Sequence, residues 1–270
     1  MLIVQISDPH VFAKGELMEG RVDTARGLRA ALGIATRLDP DLILMTGDLV
    51  NDGAAEQYEH LHEILATVEA TTMLVAGNHD DRSLLRALIA ELPRAVTPRP
   101  DDGSGRIEYD HREFVETGGP RLIVVDTVVT GNHHGCIDED QLADLSTRLV
   151  ADETTLIAQH HPPYRSGIDF MDAFGLQGGQ AEIDLLQEHP EVLAVLTGHL
   201  HRHAVHVDRN VTMVTAPSSA AQVALDLDGG PTTYTDEPGA LLVHRVSGDS
   251  MTSHVCHLGH DGTWRPSWAR

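Results

Sequence analysis

The chain has 270 residues, of which 19 are basic and 41 are acidic, so its formal net charge is −22. This acidic balance argues against binding to a nucleic-acid polymer or to an anionic membrane surface, since both need a positively charged face. No apolar run approaches the roughly 20 residues of a membrane-spanning helix, and Cys136 and Cys256 are too few to build a disulfide scaffold.

Up to His199, the chain alternates short β-branched runs with longer stretches of helical periodicity, which is typical of an α/β fold. Six continuous apolar runs predict strands buried on both faces of a sheet: Leu2–Ser7, Leu42–Thr46, Thr72–Ala76, Arg121–Val125, Thr155–Gln159 and Val192–Thr197. Five predicted helices lie between them: Asp23–Leu38, Ala55–Val68, Arg82–Leu92, Asp138–Ala151 and Gln180–Glu188. The first strand follows no basic stretch, so we expect no signal peptide and a cytoplasmic location.

After His199, the pattern changes to strands without helices between them. These predicted strands are Val211–Thr215, Val223–Asp226, Ala240–Val246 and Ser253–Leu258. We expect the segment 226–270 to complete a second sheet and residues 1–225 to form the main domain. An exposed hairpin in this C-terminal segment would need cover, which favours a homodimer or a higher homo-oligomer.

Polar residues follow five of the predicted strands, each time at the carboxyl end. The five motifs are Asp8-Pro9-His10, Gly47-Asp48, Gly77-Asn78-His79-Asp80, His160-His161-Pro162-Pro163 and Gly198-His199-Leu200-His201. Each motif alone is compatible with an ordinary turn or loop, because Asp, Asn, Gly and Pro all favour turns. Five turns that each place a metal-binding side chain at the same end of successive strands are not expected by chance. The carboxyl edge of an α/β sheet is also where ligands bind. Together the motifs predict a metal site.

The residue types narrow the choice of metal. The chain has 18 histidines, nearly as many as all its basic residues together, and imidazole with carboxylate suits Mn, Fe, Zn or Co better than Mg or Ca. The motifs offer about eight ligand positions, which is enough for two ions. We therefore expect two transition-metal ions, either both divalent or of mixed valence.

The five motifs, in this order, resemble those of the calcineurin-like metallophosphoesterases. Finer features are similar to bacterial class III cyclic-nucleotide phosphodiesterases and to glycerophosphodiesterases: His160-His161-Pro162-Pro163, Met171-Asp172-Ala173-Phe174-Gly175-Leu176, Ala216-Pro217-Ser218-Ser219 and Gln222-Val223. The resemblance implies a four-layer αββα sandwich of two mixed sheets flanked by helices, with residues 1–225 as the catalytic domain.

The same resemblance implies a role for each motif residue. One metal would be held by Asp8, His10, Asp48 and His201, and the second by Asp48, Asn78, His160 and His199, with Asp48 bridging. The family's ligand stands two residues before the proline, which selects His160 over His161. His79 would be the catalytic histidine beside the scissile phosphate, in a reaction where a bridging hydroxide attacks phosphorus.

The substrate is expected to be a small-molecule phosphodiester, with 3',5'-cyclic nucleotides ahead of glycerophosphodiesters on resemblance. His161 and Asn78 are the predicted substrate contacts, and Tyr164, Phe170 and Phe174 could wall a pocket or pack in the core. A nuclease with the same metal site would need a basic groove. A non-enzymatic scaffold is disfavoured because no expected ligand is missing.

Overall fold

A computed structural model describes residues 1–259, 262, 265, 266 and 268. The strands of this part of the chain are β1 (Leu2–Ile6), β2 (Leu42–Thr46), β3 (Thr72–Val75), β4 (Tyr109–His111), β5 (Arg121–Val124), β6 (Gly135–Cys136), β7 (Thr155–Ala158), β8 (Leu176–Gln177), β9 (Val192–Thr197), β10 (Ala204–Asp208), β11 (Val211–Thr215), β12 (Gln222–Val223), β13 (Tyr234–Thr235), β14 (Ala240–Ser247) and β15 (Ser250–His257). The helices are α1 (Thr24–Leu38), α2 (Ala55–Leu65), α3 (Arg82–Glu91), α4 (Glu139–Arg148), α5 (Asp169–Ala173) and α6 (Gly179–Leu186).

The six predicted strands and five predicted helices of the first part of the chain are all present, with boundaries shifted by a few residues. Helix α2 ends at Leu65 and not at Val68, and α4 ends at Arg148 and not at Ala151. The predicted strand Val223–Asp226 is reduced to β12. Five short or edge strands and one short helix were not predicted: β4, β6, β8, β10, β13 and α5.

The first sheet has five strands in the order β15-β14-β1-β2-β3. β1, β2 and β3 are parallel, and β14 and β15 form an antiparallel hairpin beside β1, with Val4 opposite Val243. The expectation that the C-terminal strands complete a second sheet is therefore corrected. β2 covers only one edge of β1, and the apolar strand β14 covers the other. The division of the chain at residue 225 stays a prediction.

The second sheet has six strands in the order β10-β11-β9-β7-β5-β4, with parallel central strands and antiparallel edge pairs. Its central strands alternate between two apolar clusters. Leu156 and Ala158 of β7 belong to the cluster that also contains the first sheet, whereas Ile157 between them belongs to the cluster with α4 and α6. Since successive strand residues point to opposite faces, the two sheets pack face to face.

Helices cover the outer faces of both sheets. Leu28 of α1, Leu61 of α2 and Leu85 of α3 are buried in the cluster of the first sheet. Leu145 of α4 and Leu186 of α6 are buried against the second sheet. The predicted four-layer αββα arrangement of two mixed sheets is confirmed. No helix in the described part of the chain is long and apolar enough to cross a membrane.

A polar chain links the two sheets beneath their carboxyl ends. The Gln5 amide of β1 donates to the Thr46 hydroxyl of β2 (3.0 Å) and to the Thr197 carbonyl of β9 (2.9 Å). His244 Nε2 of β14 donates to Gln5 Oε1 (2.9 Å), and the Ser253 hydroxyl of β15 donates to His244 Nδ1 (2.7 Å). These hydrogen bonds hold both sheets and the C-terminal hairpin in one register.

Candidate metal centre

The five motifs of the sequence meet where the two sheets face each other. β1, β2 and β3 of the first sheet lead into the motifs of Asp8, Asp48 and Asn78, and β7 and β9 of the second sheet lead into those of His160 and His199. The predicted edge is thus formed by two sheets and not by one. All the Asp and His residues predicted to bind metal are buried.

The backbone of this region is unusual. Nine non-glycine residues in the described part of the chain have positive φ angles, and five of them are predicted ligands, namely Asp8 (48°), His10 (41°), Asp48 (50°), His199 (69°) and His201 (47°). Left-handed backbone costs on the order of 1 kcal/mol or more at a residue with a Cβ and is concentrated at functional sites. Here it turns the side chains that follow the strands into a common centre.

The first group of donor atoms comes from Asp8, His10, Asp48 and His201, whose ligand atoms all lie within 4.8 Å of one another. His10 Nε2 is 2.9 Å from His201 Nε2 and 3.6 Å from Asp48 Oδ2. His201 Nε2 is 3.6 Å from Asp8 Oδ1. Donor atoms that surround one transition-metal ion at about 2.0–2.2 Å lie roughly as far from one another as these nitrogen and oxygen atoms do. This group could therefore hold one ion.

The second group is formed by His160, His199, Asn78 and Asp48. Asn78 Oδ1 lies 3.1 Å from both His160 Nε2 and His199 Nδ1, and His160 Nε2 lies 3.3 Å from Asp48 Oδ2. His161 is also close enough to His160 and His199 to be considered as a third donor. Its ring nitrogens are already occupied by other protein groups, as described below, so the Asn78 oxygen completes this group better.

Asp48 belongs to both groups through a single oxygen. Asp48 Oδ1 accepts the backbone N–H of His79 (2.9 Å), which leaves Oδ2 facing His10 on one side and His160 on the other. Asp48 would therefore contribute to holding both ions.

Two of the histidines are oriented by carbonyl groups behind them. His160 Nδ1 donates to the Thr46 carbonyl (2.8 Å), and His201 Nδ1 donates to the Ala221 carbonyl (3.0 Å). Each bond orients the ring so that Nε2 is directed at the centre, as in many metal sites.

Burial keeps several of these rings neutral. Burial and the neighbouring His201 hold the pKa of His10 well below its usual range, and burial and His160 lower the pKa of His199 to about 3. Neutral imidazole is the form that binds metals. The buried His10 Nδ1 has no hydrogen-bond partner in the described part of the chain.

His160 and Asp48 show the opposite behaviour. Although burial works against it, Asp48 raises the pKa of His160 to about 9. The pKa of Asp48 is held well below its usual range by His160 in spite of burial. Burial raises the pKa of Asp8, although His201 opposes this change. A positive charge is therefore favoured between these side chains, which is what a bound cation would supply.

Glycine is required beside this centre. A Cβ on Gly77 would lie 2.1 Å from the Asp48 nitrogen and 2.2 Å from Asp48 Oδ1. A Cβ on Gly47, where φ is +92°, would lie 2.4 Å from His160 Nδ1. The two glycines of the Gly-Asp and Gly-Asn motifs therefore allow the backbone to approach the ligands closely.

A cleft of about 270 Å³ opens above the two groups. His79 lies at its floor, with Nδ1 donating to the Asn51 carbonyl (2.5 Å) and its ring centroid 4.7 Å from that of His10. This bond leaves His79 Nε2 available to the cleft. His79 is not part of either donor group, and its role as a catalytic histidine that does not bind metal stays a prediction.

His133 is a residue of the cleft that the sequence did not single out. Asn78 Nδ2 donates to His133 Nδ1 (3.4 Å), so the amide of Asn78 faces the metal groups with its oxygen and His133 with its nitrogen. The ring of His133 lies 5.5 Å from that of His79 and 5.6 Å from that of Phe174. His133 and His134 do not follow a predicted strand, so nothing in the sequence indicates that His133 lies in the cleft.

The prediction that His161 contacts the substrate is corrected by the structure. His161 is fully buried, its Nδ1 accepts from the Thr127 hydroxyl (2.9 Å), and its Nε2 donates to the His133 carbonyl (3.1 Å). Burial and the neighbouring His199 hold the pKa of His161 well below its usual range, so the ring is uncharged. His161 lies behind the cleft and supports the loop that carries His133.

The three aromatic residues proposed as pocket walls divide in the structure. Phe170 and Phe174 line the cleft, together with Met18, Met171, Val223, Thr232 and Tyr234. Tyr164 does not line it, because its hydroxyl bonds Thr215 (2.6 Å) and its ring stacks on His206. Thr232 and Tyr234, which the sequence did not indicate, reach the cleft from the β12–β13 hairpin.

Comparison with known proteins supports this description. A family model described as calcineurin-like phosphoesterase matches residues 1–203. The chain is 30% identical over 267 residues to a probable glycerophosphodiester phosphodiesterase of Arcobacter nitrofigilis, covering 96% of this chain and 94% of that protein. It is 33% identical over 272 residues to a cAMP/cGMP dual specificity phosphodiesterase of Mycobacterium tuberculosis, covering 96% and 80%.

The fold is also shared with solved structures. A dimetal phosphatase from Danio rerio superimposes with a TM-score of 0.66 at 17% identity, covering 96% of this chain and 99% of that chain. This likeness concerns the architecture. The family match and the two donor groups confirm the expected metallophosphoesterase and imply a dinuclear metal centre. The chain belongs to the calcineurin-like phosphoesterase family, and it is a hydrolase of phosphate esters.

Proposed function

We propose that this protein hydrolyses small phosphodiesters, with 3',5'-cyclic nucleotides as the preferred class. The observation that carries the proposal is the sharing of Asp48 Oδ2 by two donor groups at the floor of a cleft of about 270 Å³. Two ions held by these groups would supply Lewis-acid chemistry suited to in-line displacement at phosphorus.

We assign one ion to Asp8, His10, Asp48 and His201, and the other to Asp48, Asn78, His160 and His199. The donor set suits Mn, Fe, Zn or Co. When bound, two such ions polarise the phosphoryl oxygens and make a nucleophile of water at neutral pH.

The protein's own groups orient the substrate and handle the leaving group. The Nδ1 proton of His79 is held by the Asn51 carbonyl, so a proton carried on Nε2 is directed into the cleft. From there it can be passed to the ester oxygen that leaves as the bond to phosphorus breaks. The Asn78 amide nitrogen faces the same space and supplies a neutral donor for a phosphoryl oxygen.

The walls of the cleft favour a substrate with a flat apolar portion. Phe170, Phe174 and Tyr234 are three of only ten aromatic residues in the chain. No lysine or arginine is among the described residues that line the cleft, so a nucleic-acid polymer is not the expected substrate. The 33% identity to a cAMP/cGMP dual specificity phosphodiesterase also supports cyclic nucleotides as the substrate class.

The test is hydrolysis by the Mn²⁺-loaded protein of cyclic AMP, glycerophosphoethanolamine, a bis-aryl phosphate and a mono-aryl phosphate. We expect diester cleavage to exceed monoester cleavage and cyclic AMP to have the highest kcat/KM of the natural compounds. A higher kcat/KM for glycerophosphoethanolamine would instead make the protein a glycerophosphodiesterase. No turnover of any ester would contradict the proposal.

A variant pair tests the assignment of Asp48. Asp48→Asn removes a charge shared by both groups, so it should release metal and lower kcat/KM by more than about 100-fold. Asp39→Asn is the control, because Asp39 also has a left-handed backbone (φ 50°) but is exposed at the end of α1. Retention of two tightly bound metals and full activity in Asp48→Asn would contradict the assignment.

The expected homo-oligomer and the cytoplasmic location stay predictions. β15 is the edge strand of the first sheet, and Val255 on it is 38% exposed. We expect sedimentation of the intact protein to show a dimer that Val255→Lys weakens, because a charge on an edge strand opposes pairing with a second strand. If the unmodified protein sediments as a monomer, the proposed homo-oligomer is wrong.

A further inference from the structure

Two segments from different parts of the chain meet above the metal centre, and we call them the roof. One is residues 167–174, which includes α5, and the other is the β12–β13 hairpin, residues 222–235. Val223 packs with Ile168 and Met171 in a small apolar cluster, and Leu227 lies against Gly167. The roof is therefore one packed unit.

The hairpin side of the roof is tied to a metal-binding motif. The Val223 N–H donates to the His201 carbonyl (3.1 Å), and the Arg202 guanidinium donates to the Val223 carbonyl (2.7 Å) and to Glu237 (2.8 Å). These bonds connect the base of the hairpin to the Gly198–His201 motif, so the cleft-lining residues of the hairpin are fixed relative to that motif.

Thr232 presents a polar group that the protein does not satisfy. Its hydroxyl oxygen is buried and has no hydrogen-bond partner within the described residues, and its side chain lines the cleft. A buried hydroxyl without a partner is unfavourable and needs a compensating interaction. A polar atom of a ligand in the cleft would supply it.

Tyr234 and the phenylalanines form apolar walls of the same cleft. Tyr234 is 50% exposed, its ring lies 6.2 Å from that of His201, and none of the described groups bonds its hydroxyl. On the α5 side, Phe170 and Phe174 are in edge contact at 5.3 Å. These rings offer stacking surfaces, and the Thr232 hydroxyl offers a hydrogen bond at the same cleft.

We propose that Thr232 and Tyr234 determine substrate specificity by binding the part of the phosphodiester beyond the phosphate. Tyr234 stacks on a flat ring such as a nucleobase, and Thr232 hydrogen-bonds a polar atom of that base or of its sugar. The inference rests on the proposed phosphodiesterase function and adds which residues select the substrate.

The first experiment compares Thr232→Val with Thr233→Val in the Mn²⁺-loaded protein. Thr232→Val removes only the cleft hydroxyl, so we expect KM for cyclic AMP to rise about fivefold to tenfold while kcat and metal content stay unchanged. Thr233 is exposed, neighbours Thr232 in the same hairpin and does not line the cleft. Thr233→Val should therefore behave like the unmodified protein.

The second experiment uses Tyr234→Phe and Tyr234→Leu. Loss of the ring should raise KM for cyclic AMP roughly tenfold, because stacking of a base on an aromatic side chain is lost, whereas Tyr234→Phe keeps the ring and most of the affinity. Methyl p-nitrophenyl phosphate at saturating concentration reports the metal centre itself, and its kcat should be the same in every variant.

The outcomes separate this inference from the proposed function. If the unmodified protein cleaves methyl p-nitrophenyl phosphate and all four variants keep its KM for cyclic AMP, the roof does not select the substrate, although the phosphodiesterase function stands. If Thr232→Val lowers kcat for both substrates equally, its role is structural and the inference is wrong. Absence of cleavage by the unmodified protein would instead remove the proposed function.

Discussion

His133 and His134 are neighbours in the chain but face different surroundings. His133 lines the cleft and receives a hydrogen bond from the Asn78 amide, whereas His134 lines a separate cavity beside Tyr164 and Arg165. The first histidine is thus in a position to hold Asn78 with its oxygen toward the metals, and the second is not.

We expect His133→Ala to lower kcat/KM for a phosphodiester about fivefold, since one hydrogen bond to Asn78 and one wall of the cleft are lost. The measurement is steady-state kinetics with metal analysis of the same samples. His134→Ala is the matched control and should leave both quantities unchanged. Equal effects of the two substitutions would show that the His133–Asn78 contact does not matter for the reaction.

For single residues, the sequence predicts the positions of those that stand at the end of a strand. Asp8 directly follows a predicted strand, and Asp48 and Asn78 follow theirs after one glycine, so their place at the sheet edge could be expected. The sequence could not show that His161 is held away from the cleft, because this depends on the bonds of its two ring nitrogens to Thr127 and to the His133 carbonyl. Thr232 could not be predicted, because its position depends on how a polar loop folds back over the site.

The turns after the strands are the elements that build the centre. The motif of Gly77 passes so close to Asp48 that the Asp48 nitrogen and Oδ1 would both lie within 2.2 Å of an added Cβ. The motif is also held by the half-buried Asp80 carboxylate, which accepts from the Gly77 N–H (2.9 Å) and from the Tyr58 hydroxyl (3.1 Å). Its path therefore cannot shift without moving a proposed ligand.

Gly77→Ala should displace Asp48 and lower metal affinity and kcat/KM by at least about tenfold, an effect in the range known for groups that orient metal ligands. Isothermal titration with Mn²⁺ would measure the affinity. Gly33→Ala is the control, because Gly33 lies in α1 with open space at its Cβ position. This substitution should raise stability by about 0.5–1 kcal/mol without any change in metal binding. Normal metal affinity in Gly77→Ala would contradict the role of this turn.

The C-terminal hairpin depends on a buried neutral histidine. Burial, with a smaller contribution from His203, lowers the pKa of His244 to about 3, and its two ring nitrogens bond Gln5 and Ser253. The unfolded chain takes up a proton at His244 near the usual pKa of about 6.5, whereas the folded protein resists it. The stability associated with neutral His244 is thus present above pH 6.5 and is lost as the pH falls below it.

His244→Gln should cost about 1–2 kcal/mol of the free energy of unfolding at pH 8, because the hydrogen bonds to Gln5 and Ser253 are weakened. At pH 5 this cost should vanish or change sign, because the unmodified protein loses about 2 kcal/mol of stability on acidification whereas the variant no longer has this buried imidazole. Urea unfolding at both pH values measures the difference. His254→Gln, on the exposed side of β15, should show no such pH dependence, and a constant difference for His244→Gln would refute the argument.

Among the elements, long buried strands and amphipathic helices were predictable and short edge strands were not. β7 is buried throughout because both of its faces are covered. β4 has three residues and β6 only two, which are too few to show a hydrophobic period. The sheet to which β14 belongs could not be predicted either. An apolar strand fits either sheet equally well, and only the open edge of β1 decides the pairing.

For the whole molecule, the strongest electrostatic feature is the group of buried carboxylates in an already acidic chain. Asp8 and Asp48 are buried and Asp80 is half-buried beside them, and desolvation together with the neighbouring Asp48 raises the pKa of Asp80 to about 7. Bound cations offset this repulsion only in the folded state, so metal binding is coupled to the stability of the complete fold.

Removal of metal with a chelator should therefore lower Tm, and addition of Mn²⁺ at about 100 times its Kd should restore about 3 kcal/mol, or roughly 5–10 °C. Scanning calorimetry with and without the chelator measures this change. Asp39→Asn should respond like the unmodified protein, whereas Asp48→Asn should show little response. An unchanged Tm in a sample shown to be metal-free would argue against the coupling.

The two donor groups join residues that are far apart in the chain. His10 and His201, whose Nε2 atoms are 2.9 Å apart, are separated by 191 positions, and the backbone N–H of His199 donates to the Asp8 carboxylate over the same separation. Closing such a long loop is entropically costly and slow, and contacts of this kind form late. The metal pair can thus be captured only by chains in which both sheets have already docked. Metal uptake during refolding should therefore report the docking of the two sheets. A folding intermediate with only one completed sheet would not bind metal at this centre.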